Sequence, residues 1–492
     1  MAKRLPSTIL QSLSSRFLNS SSSSSSAAVS PHLLLNLDDP KPQFIHLHDV
    51  RALFSTVSTP KLLRSFLSLH ASSIGPMVDV GTWVMNSSLL EIPLLRQATL
   101  AAVKHTVFQH FCAGETPQEA GNTAARLWED TGITGMLVYG LEHATDNPWC
   151  DRNLQGFLQT VESAKSLPPS SVSFVVVKIT AICPMDLLKR VSDHLRWQHR
   201  DPSHVHLLPW KRDTLPIFAD SSPLYHTQIA PHPLTLEEEQ NLELAHQRLQ
   251  KLYLSCRQAN VPLIVDAEDT IVQPAIDYMT YSCAAAAAAS SSNEKGGRFP
   301  ILLFNTIQTY LKDSRERLVL AQAAAEKMGV PMGFKLVRGA YMSSEGQLTS
   351  RLGAESPIHN SIDQTHACFN DCTSFMLEKI AGGGGGGAVV IASHNLESGM
   401  RAARKATELG IEREDKRVQF AQLYGMADGL SFSLRNAGFQ VSKYMPFGPV
   451  DLIMPYLLRR AEENRGLLST SSFDRHLIRK ELKRRLTSSL FF

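Results

Sequence analysis

Tyr456, Arg459 and Arg460 stand at i, i+3 and i+4 in the stretch from Tyr444 to Asn464, so a helix after Pro455 puts a ring and two guanidinium groups on one face. Adjacent cations repel. Glu463, three and four residues further on, neutralises one of them and leaves about one unit of positive charge without an internal partner. That surplus suits a bound carboxylate, which the planar Arg fork grips with two parallel hydrogen bonds. An isolated Arg-Arg pair is more often a solvated helix end. The two tyrosines and the strand-like run before them point to a binding face instead.

Lys178 ends the apolar run Phe174–Ile179, which carries its side chain into a partly desolvated place. Two jobs suit it: a charged lysine that holds an anion, or a lysine neutralised by burial that forms a Schiff base. Asp266, Glu268 and Asp269 form an acidic cluster. Without a His or a second acidic run at a fitting distance it reads poorly as a metal site, so Asp266 is expected to accept a hydrogen bond from Tyr444 and fix its ring. No metal is expected. In Gly333–Tyr341, Lys335 and Arg338 alternate with apolar residues before Gly339 and Ala340, whose size lets a flat ring approach the backbone. His394 and Asn395 add hydrogen-bonding groups after another apolar run. Cys368 and Cys372, at helical spacing near His366, lack a second ligand pair and read as buried thiols. No Ser/His/Asp or Cys/His arrangement is present, so a bound cofactor is expected to supply the reactivity.

Eight short β-rich runs position these groups: Met136–Tyr139, Ser173–Ile179, Leu263–Asp266, Ile301–Thr306, Gly333–Arg338, Ala388–Ser393, Val418–Leu423 and Gln440–Met445. Helix-like segments such as Leu236–Ala259, Asp313–Met328 and Ile362–Ile380 alternate with them, which implies a parallel sheet. Run after run ends in a polar residue, among them Glu142, Lys178, Asp266, Gln308, His394 and Gln422. In a (β/α)₈ barrel those ends converge on one mouth. A doubly wound sheet would spread them along a line, and no Gly-x-Gly-x-x-Gly turn supports a Rossmann domain. Ala284–Ala289 with the polar stretch after it, and Gly382–Gly387, read as extended loops.

The 492 residues carry a net charge of +3 with cations and acids interspersed, which gives no case for nucleic-acid binding. Seven scattered cysteines argue against a disulfide framework and for a reducing compartment. Residues 1–40 are basic and Ser-rich with no acid before Asp38, the composition of an organelle transit peptide; 41–134 read as helices outside the barrel and 135–492 as the barrel. No stretch is apolar and long enough to span a bilayer, so any membrane contact is expected to be peripheral.

Together these motifs resemble the proline dehydrogenases, in particular plant mitochondrial members, from about Arg51 to the C-terminus. The resemblance is carried by Val177-Lys178-Ile-Thr-Ala-Ile182, Asp266-Ala-Glu268, Asn305-Thr-Ile-Gln308-Thr-Tyr310, Leu336-Val-Arg-Gly-Ala-Tyr341, His394-Asn395, Gln422-Leu-Tyr-Gly-Met426 and Tyr444 through Asn464. It implies a distorted (β/α)₈ TIM-type barrel whose last helix lies over the mouth. It also implies FAD-dependent oxidation of L-proline to 1-pyrroline-5-carboxylate, by hydride transfer from the ring carbon beside the nitrogen, with electrons passed to ubiquinone at the matrix side of the mitochondrial inner membrane. Lys178, Arg459 and Arg460 would pair with the proline carboxylate. Leu336, Ala340, Tyr341, Leu423, Tyr444 and Tyr456 would enclose its ring, with Asp266 orienting Tyr444. For FAD the resemblance implies Gln308, Lys335, Val337, Arg338, Gly339, Ser393, His394, Asn395, Gln422, Arg460 and Glu463. Bacterial members exchange the Lys335 and Arg338 residue types, which keeps the charge and moves the planar donor. The rival readings are a hydroxyproline dehydrogenase, which Tyr456 is expected to disfavour by crowding a ring hydroxyl, a Schiff-base lyase using Lys178, and a silent binding scaffold.

Overall fold

Strands with one face toward a barrel axis and the other toward helices are largely apolar on both, and these carry their polar residues at the floor and toward the mouth. The computed structural model describes residues 47, 49–291, 301–383, 387–464 and 471–490. Its eight strands are β1 (Thr134–Tyr139), β2 (Val172–Val177), β3 (Leu263–Val265), β4 (Leu303–Gln308), β5 (Gly333–Val337), β6 (Ala388–Ala392), β7 (Val418–Leu423) and β8 (Val441–Phe447). All pair in parallel, in chain order, and β1 closes the barrel on β8. Each expected run overlaps one strand, with bounds differing by a few residues.

Two apolar layers follow from the alternation of side chains. Inside the barrel, Met136, Val138, Phe174, Val176, Ile264, Phe304 and Val390 form their own cluster, with Phe174 edge-on to Phe304 at 5.1 Å. Phe304 fills that space because Gly333 faces it: a Cβ there would lie 2.3 Å from the ring. At the floor, Thr134, Ser173 and Ser442 hydroxyls bond one another at 2.6 and 2.7 Å. The larger layer lies between strands and surrounding helices.

The Ala run corrects one expectation. Ala284–Ala289 belong to the helix Gln273–Ser291, because Ala has the highest helix propensity and extends a helix already under way. Residues 292–300 lie outside the described residues. Of the Gly run, Gly382 and Gly383 follow the helix Ile362–Ala381 and Gly387 precedes β6; 384–386 lie outside the described residues. The expected leader 1–40 does too.

Before β1, the helices Thr59–Ser73, Gly75–Asn86 and Pro93–Val103 pack on the helix Val450–Asn464, and Pro117–Thr131 packs on β1. Thr116 caps the last of these by accepting from the Glu119 amide, and Gly132 ends it at φ 68°. The final helix, Ser472–Leu490, lies against Thr59–Ser73. Its Arg485 donates to the carbonyls of Val57 and Phe54, each at 2.8 Å, and so ties the two ends of the described chain together. Val450–Asn464 is helical through Pro455 and presents its inner face to the mouth. No helix among the described residues is long and apolar enough to cross a membrane.

Candidate active site

The C-terminal strand ends and the helix Val450–Asn464 enclose a cavity of about 550 Å³. All but two of the expected site residues line it. The exceptions are Leu336 and Gln308. Leu336 is fully buried in the outer layer, since Lys335 and Val337 on either side face inward and strand alternation turns Leu336 toward the helices. Its assignment to the ring pocket is therefore corrected. Gln308 is buried behind the wall, its amide nitrogen donating to the Glu268 carbonyl at 2.7 Å and to Tyr310 at 3.0 Å.

The cations at the mouth form a clamp. Lys178, just beyond β2, pairs with Glu142 at 3.1 Å and donates to the Tyr341 hydroxyl at 3.0 Å; Arg459 reaches the other Glu142 oxygen at 3.6 Å. Burial opposes ionisation of Glu142, but Lys178 and Arg459 outweigh it and hold the carboxyl at about 2. Burial likewise works to neutralise Lys178, yet Tyr341, Glu142 and Glu268 keep its pKa well above the ordinary lysine value. A lysine held cationic is an anion holder, and this argues against the Schiff-base role. Arg460 pairs with Glu463 at 2.5 Å and sits 5.0 Å from the Tyr456 ring.

Deeper in, Asp266 accepts from Tyr444 at 2.7 Å on one oxygen and pairs with Lys335 on the other, while the Lys335 ammonium lies 5.2 Å from the Tyr444 ring. The expected orienting contact is thus present, and Asp266 also anchors Lys335. Glu268 points elsewhere: it accepts from the Thr180 hydroxyl at 2.8 Å, and burial, opposed by Lys178, pushes it up to about 7.

At the far end Arg338 donates to Ser393 at 3.0 Å and also contacts His366 and Ser398, with Phe369 under its guanidinium at 4.7 Å. Burial lowers Arg338 to about 10. Asn395 caps the helix Leu396–Glu408 by accepting from Ser398 N–H at 2.9 Å, which aims that helix's amide end at the same corner. His394, lowered by burial to about 3, is neutral and accepts from Leu423 N–H at 3.1 Å. Gln422 donates to the Ser393 carbonyl at 3.3 Å and accepts from Ser431 at 2.9 Å.

Five cations line the cavity (Lys178, Lys335, Arg338, Arg459, Arg460) against three carboxylates (Glu142, Asp266, Glu463), an excess of +2. Tyr456 Oη, Arg460 Nε and Gln308 Oε1 are buried without a hydrogen-bond partner among the described residues. Such atoms cost about 1–3 kcal/mol each unless something bound satisfies them. A cavity of this size, apolar with a few directed polar groups, is built for a small molecule or cofactor. The part of the clamp not assigned from sequence is Glu142. It was legible only as a polar residue beyond the first strand, one of many.

Comparison with known proteins agrees with this geometry. A sequence model described as proline dehydrogenase matches residues 157–475. The chain is 55% identical over 454 residues to proline dehydrogenase 2, mitochondrial, of Arabidopsis thaliana, covering 92% of this chain and 93% of that one. Human hydroxyproline dehydrogenase is 32% identical over 443 residues, 88% of this chain and 92% of that one. Among solved structures, proline utilization A from Bdellovibrio bacteriovorus, inactivated by N-propargylglycine, has the same fold with a TM-score of 0.57 and 18% identity. The match covers 86% of this chain but only 40% of that longer one.

Proposed function

The chain belongs to the proline dehydrogenase family, and from that premise we propose that it oxidises L-proline with FAD and passes the electrons to ubiquinone at the inner mitochondrial membrane. The observation that carries the reading is the clamp of Lys178, Arg459 and Arg460 opening into the same cavity as the Asp266–Tyr444 pair. The fit of FAD rests on the cavity's +2 excess, which suits bound anions, and on Tyr456 Oη and Arg460 Nε, buried in its lining without a partner among the described residues. Arg338, Ser393 and the capped end of Leu396–Glu408 would hold the phosphates. Lys335, Val337, Gly339, His394, Asn395, Gln422, Arg460 and Glu463 would hold the rest, with Gln308 supporting the wall behind them through the Glu268 carbonyl and Tyr310. Bound there, FAD supplies the hydride acceptor.

The protein's own residues do the remainder. Lys178, Arg459 and Arg460 take the carboxylate, for which proline competes with Glu142, and so fix which ring carbon faces inward. Tyr341, Ala340, Leu423, Tyr444 and Tyr456 exclude water around the ring. Asp266 holds the Tyr444 ring against it and keeps Lys335 paired. Hydride leaves only an amine that carries a lone pair, so the bound amine must lose its proton, and the rate should rise with pH along an acidic limb. Proline is preferred over its hydroxylated analogue because Tyr456 borders the clamp and the Arabidopsis relative is the nearer in identity. The mitochondrial assignment rests on the leader composition and on that relative's name. The domain reading remains a leader to 40, outer helices to 134 and the barrel beyond.

One spectrum tests this. The purified protein should be yellow and should bleach when L-proline is added without oxygen. A colourless protein trapped by borohydride with a keto substrate would replace the reading with Schiff-base chemistry at Lys178.

A further inference from the structure

The helices Gly75–Asn86 and Pro93–Val103 turn large apolar side chains outward. Met77, Val80 and Trp83 follow one another at i, i+3 and i+6, and Trp83 is 62% exposed; Leu94 is 75% exposed beside Leu95. Pro93–Val103 buries no residue at all. Single exposed apolar residues are ordinary, but a run of them across adjoining helices marks a surface that meets something apolar. The run continues to the active site. Arg96 pairs with Asp451 at 2.9 Å, and the next residue, Leu452, is both 43% exposed and part of the cavity lining.

The face itself carries the exposed acids Asp79 and Glu91, and a cluster of exposed cations lies on a helix further along. Thr59–Ser73, which adds exposed Leu63 and Leu67, packs on Ser472–Leu490, and that helix buries both of its acids, Asp474 and Glu481. Its exposed positions His476, Arg479, Lys480 and Lys483 form a basic ridge at helical spacing. Outward Trp and Leu, with a basic ridge on the helix that packs against Thr59–Ser73, have the chemistry of helices lying in the headgroup layer of a bilayer.

We propose that this face, Met77 to Leu95 with Leu452, seats in the surface of an anionic bilayer and sets the cavity mouth against it. A lipid-soluble acceptor then reaches the cavity without crossing water. The proposal rests on the reading above that the acceptor is a membrane quinone.

The test is flotation of the flavin-loaded full chain with vesicles of phosphatidylcholine alone or mixed with phosphatidylglycerol. The protein should float with the mixed vesicles, and less so as salt rises. Trp83→Glu with Leu94→Glu should lower the bound fraction about tenfold, since it removes the buried apolar area. Lys480→Glu with Lys483→Glu should abolish the preference for phosphatidylglycerol. Neither pair touches the clamp, so proline-dependent reduction of a water-soluble dye should stay within about twofold of the parent, well short of the loss expected of a clamp residue. Unchanged flotation of the Trp83/Leu94 variant overturns the proposal. So does a parent that sediments as a dimer and a Trp83/Leu94 variant that sediments as a monomer while flotation persists, which would assign the face to a second copy. Absence of dye reduction by the parent protein counts against the proline dehydrogenase reading, not against the docking face, which flotation alone reports.

Discussion

Arg459→Met removes one arm of the clamp while keeping the length and much of the apolar volume of the side chain. Arg459 lies 3.6 Å from Glu142, and its side chain is 41% exposed, so solvent screens it more than it screens Lys178. A charged hydrogen bond in such a place is worth about 1.5–3 kcal/mol, and exposure argues for the lower half of that range. A loss of about 2 kcal/mol corresponds to an increase of about thirtyfold in the proline KM. The measurement is steady-state reduction of a soluble dye across proline concentrations, with flavin content read from the visible spectrum of the same sample. Flavin content should hold, because Arg459 is not among the residues assigned to FAD. Pyrrolidine, which has the ring and no carboxylate, supplies the control: its inhibition constant should change by less than about twofold if the clamp acts only on the carboxylate. A proline KM that stays within about twofold of the parent, or a pyrrolidine constant that rises as much as the proline one, would refute the assignment of Arg459 to the carboxylate.

Two further perturbations address other contacts. Tyr444→Phe and Asp266→Asn should each lower kcat/KM about tenfold or more, and the double variant should lose clearly less than the sum, because both disrupt the one 2.7 Å bond; additive losses would show that Asp266 does not act through Tyr444. Glu268 keeps its proton in the folded protein up to about 7 but releases it near 4.5 when unfolded, so the folded state binds more protons between those values and stability falls as pH rises through that window. The fall amounts to about 3 kcal/mol, and Glu268→Gln should remove that share in urea titrations across the window, leaving the comparable share of Asp474, which burial raises to about 6, and those of the other carboxyls that burial raises; an unchanged slope would mean that Glu268 is not among the groups titrating.

The strands were legible because a barrel strand is largely apolar on both faces and polar at one end, a pattern that the runs ending in Lys178, Asp266 and His394 each carry. The cationic helix face at the cavity was legible because Tyr456, Arg459 and Arg460 at helical spacing suffice to show one face. Leu336 misled because it lies inside a family motif, although the inward parity of Lys335 already turns it outward. Ala284–Ala289 misled through low complexity, where propensity gives the better guide. Glu142 follows no periodicity. It lies in the loop after β1, and only the fold brings it within reach of Lys178 and Arg459, which come from opposite ends of the barrel sequence.

Arg485 grips the carbonyls of Phe54 and Val57 across more than four hundred intervening residues. A polypeptide that emerges amino end first must therefore wait for the helix Ser472–Leu490 before Thr59–Ser73 finds that neighbour. Contacts of such long separation form late, after local ones. The wall that roofs the pocket is joined to those early helices, so a shortened or stalled product can hold a closed ring of strands and still be unable to finish the chamber above it. Completion of the catalytic space thereby waits on synthesis of the helix Ser472–Leu490.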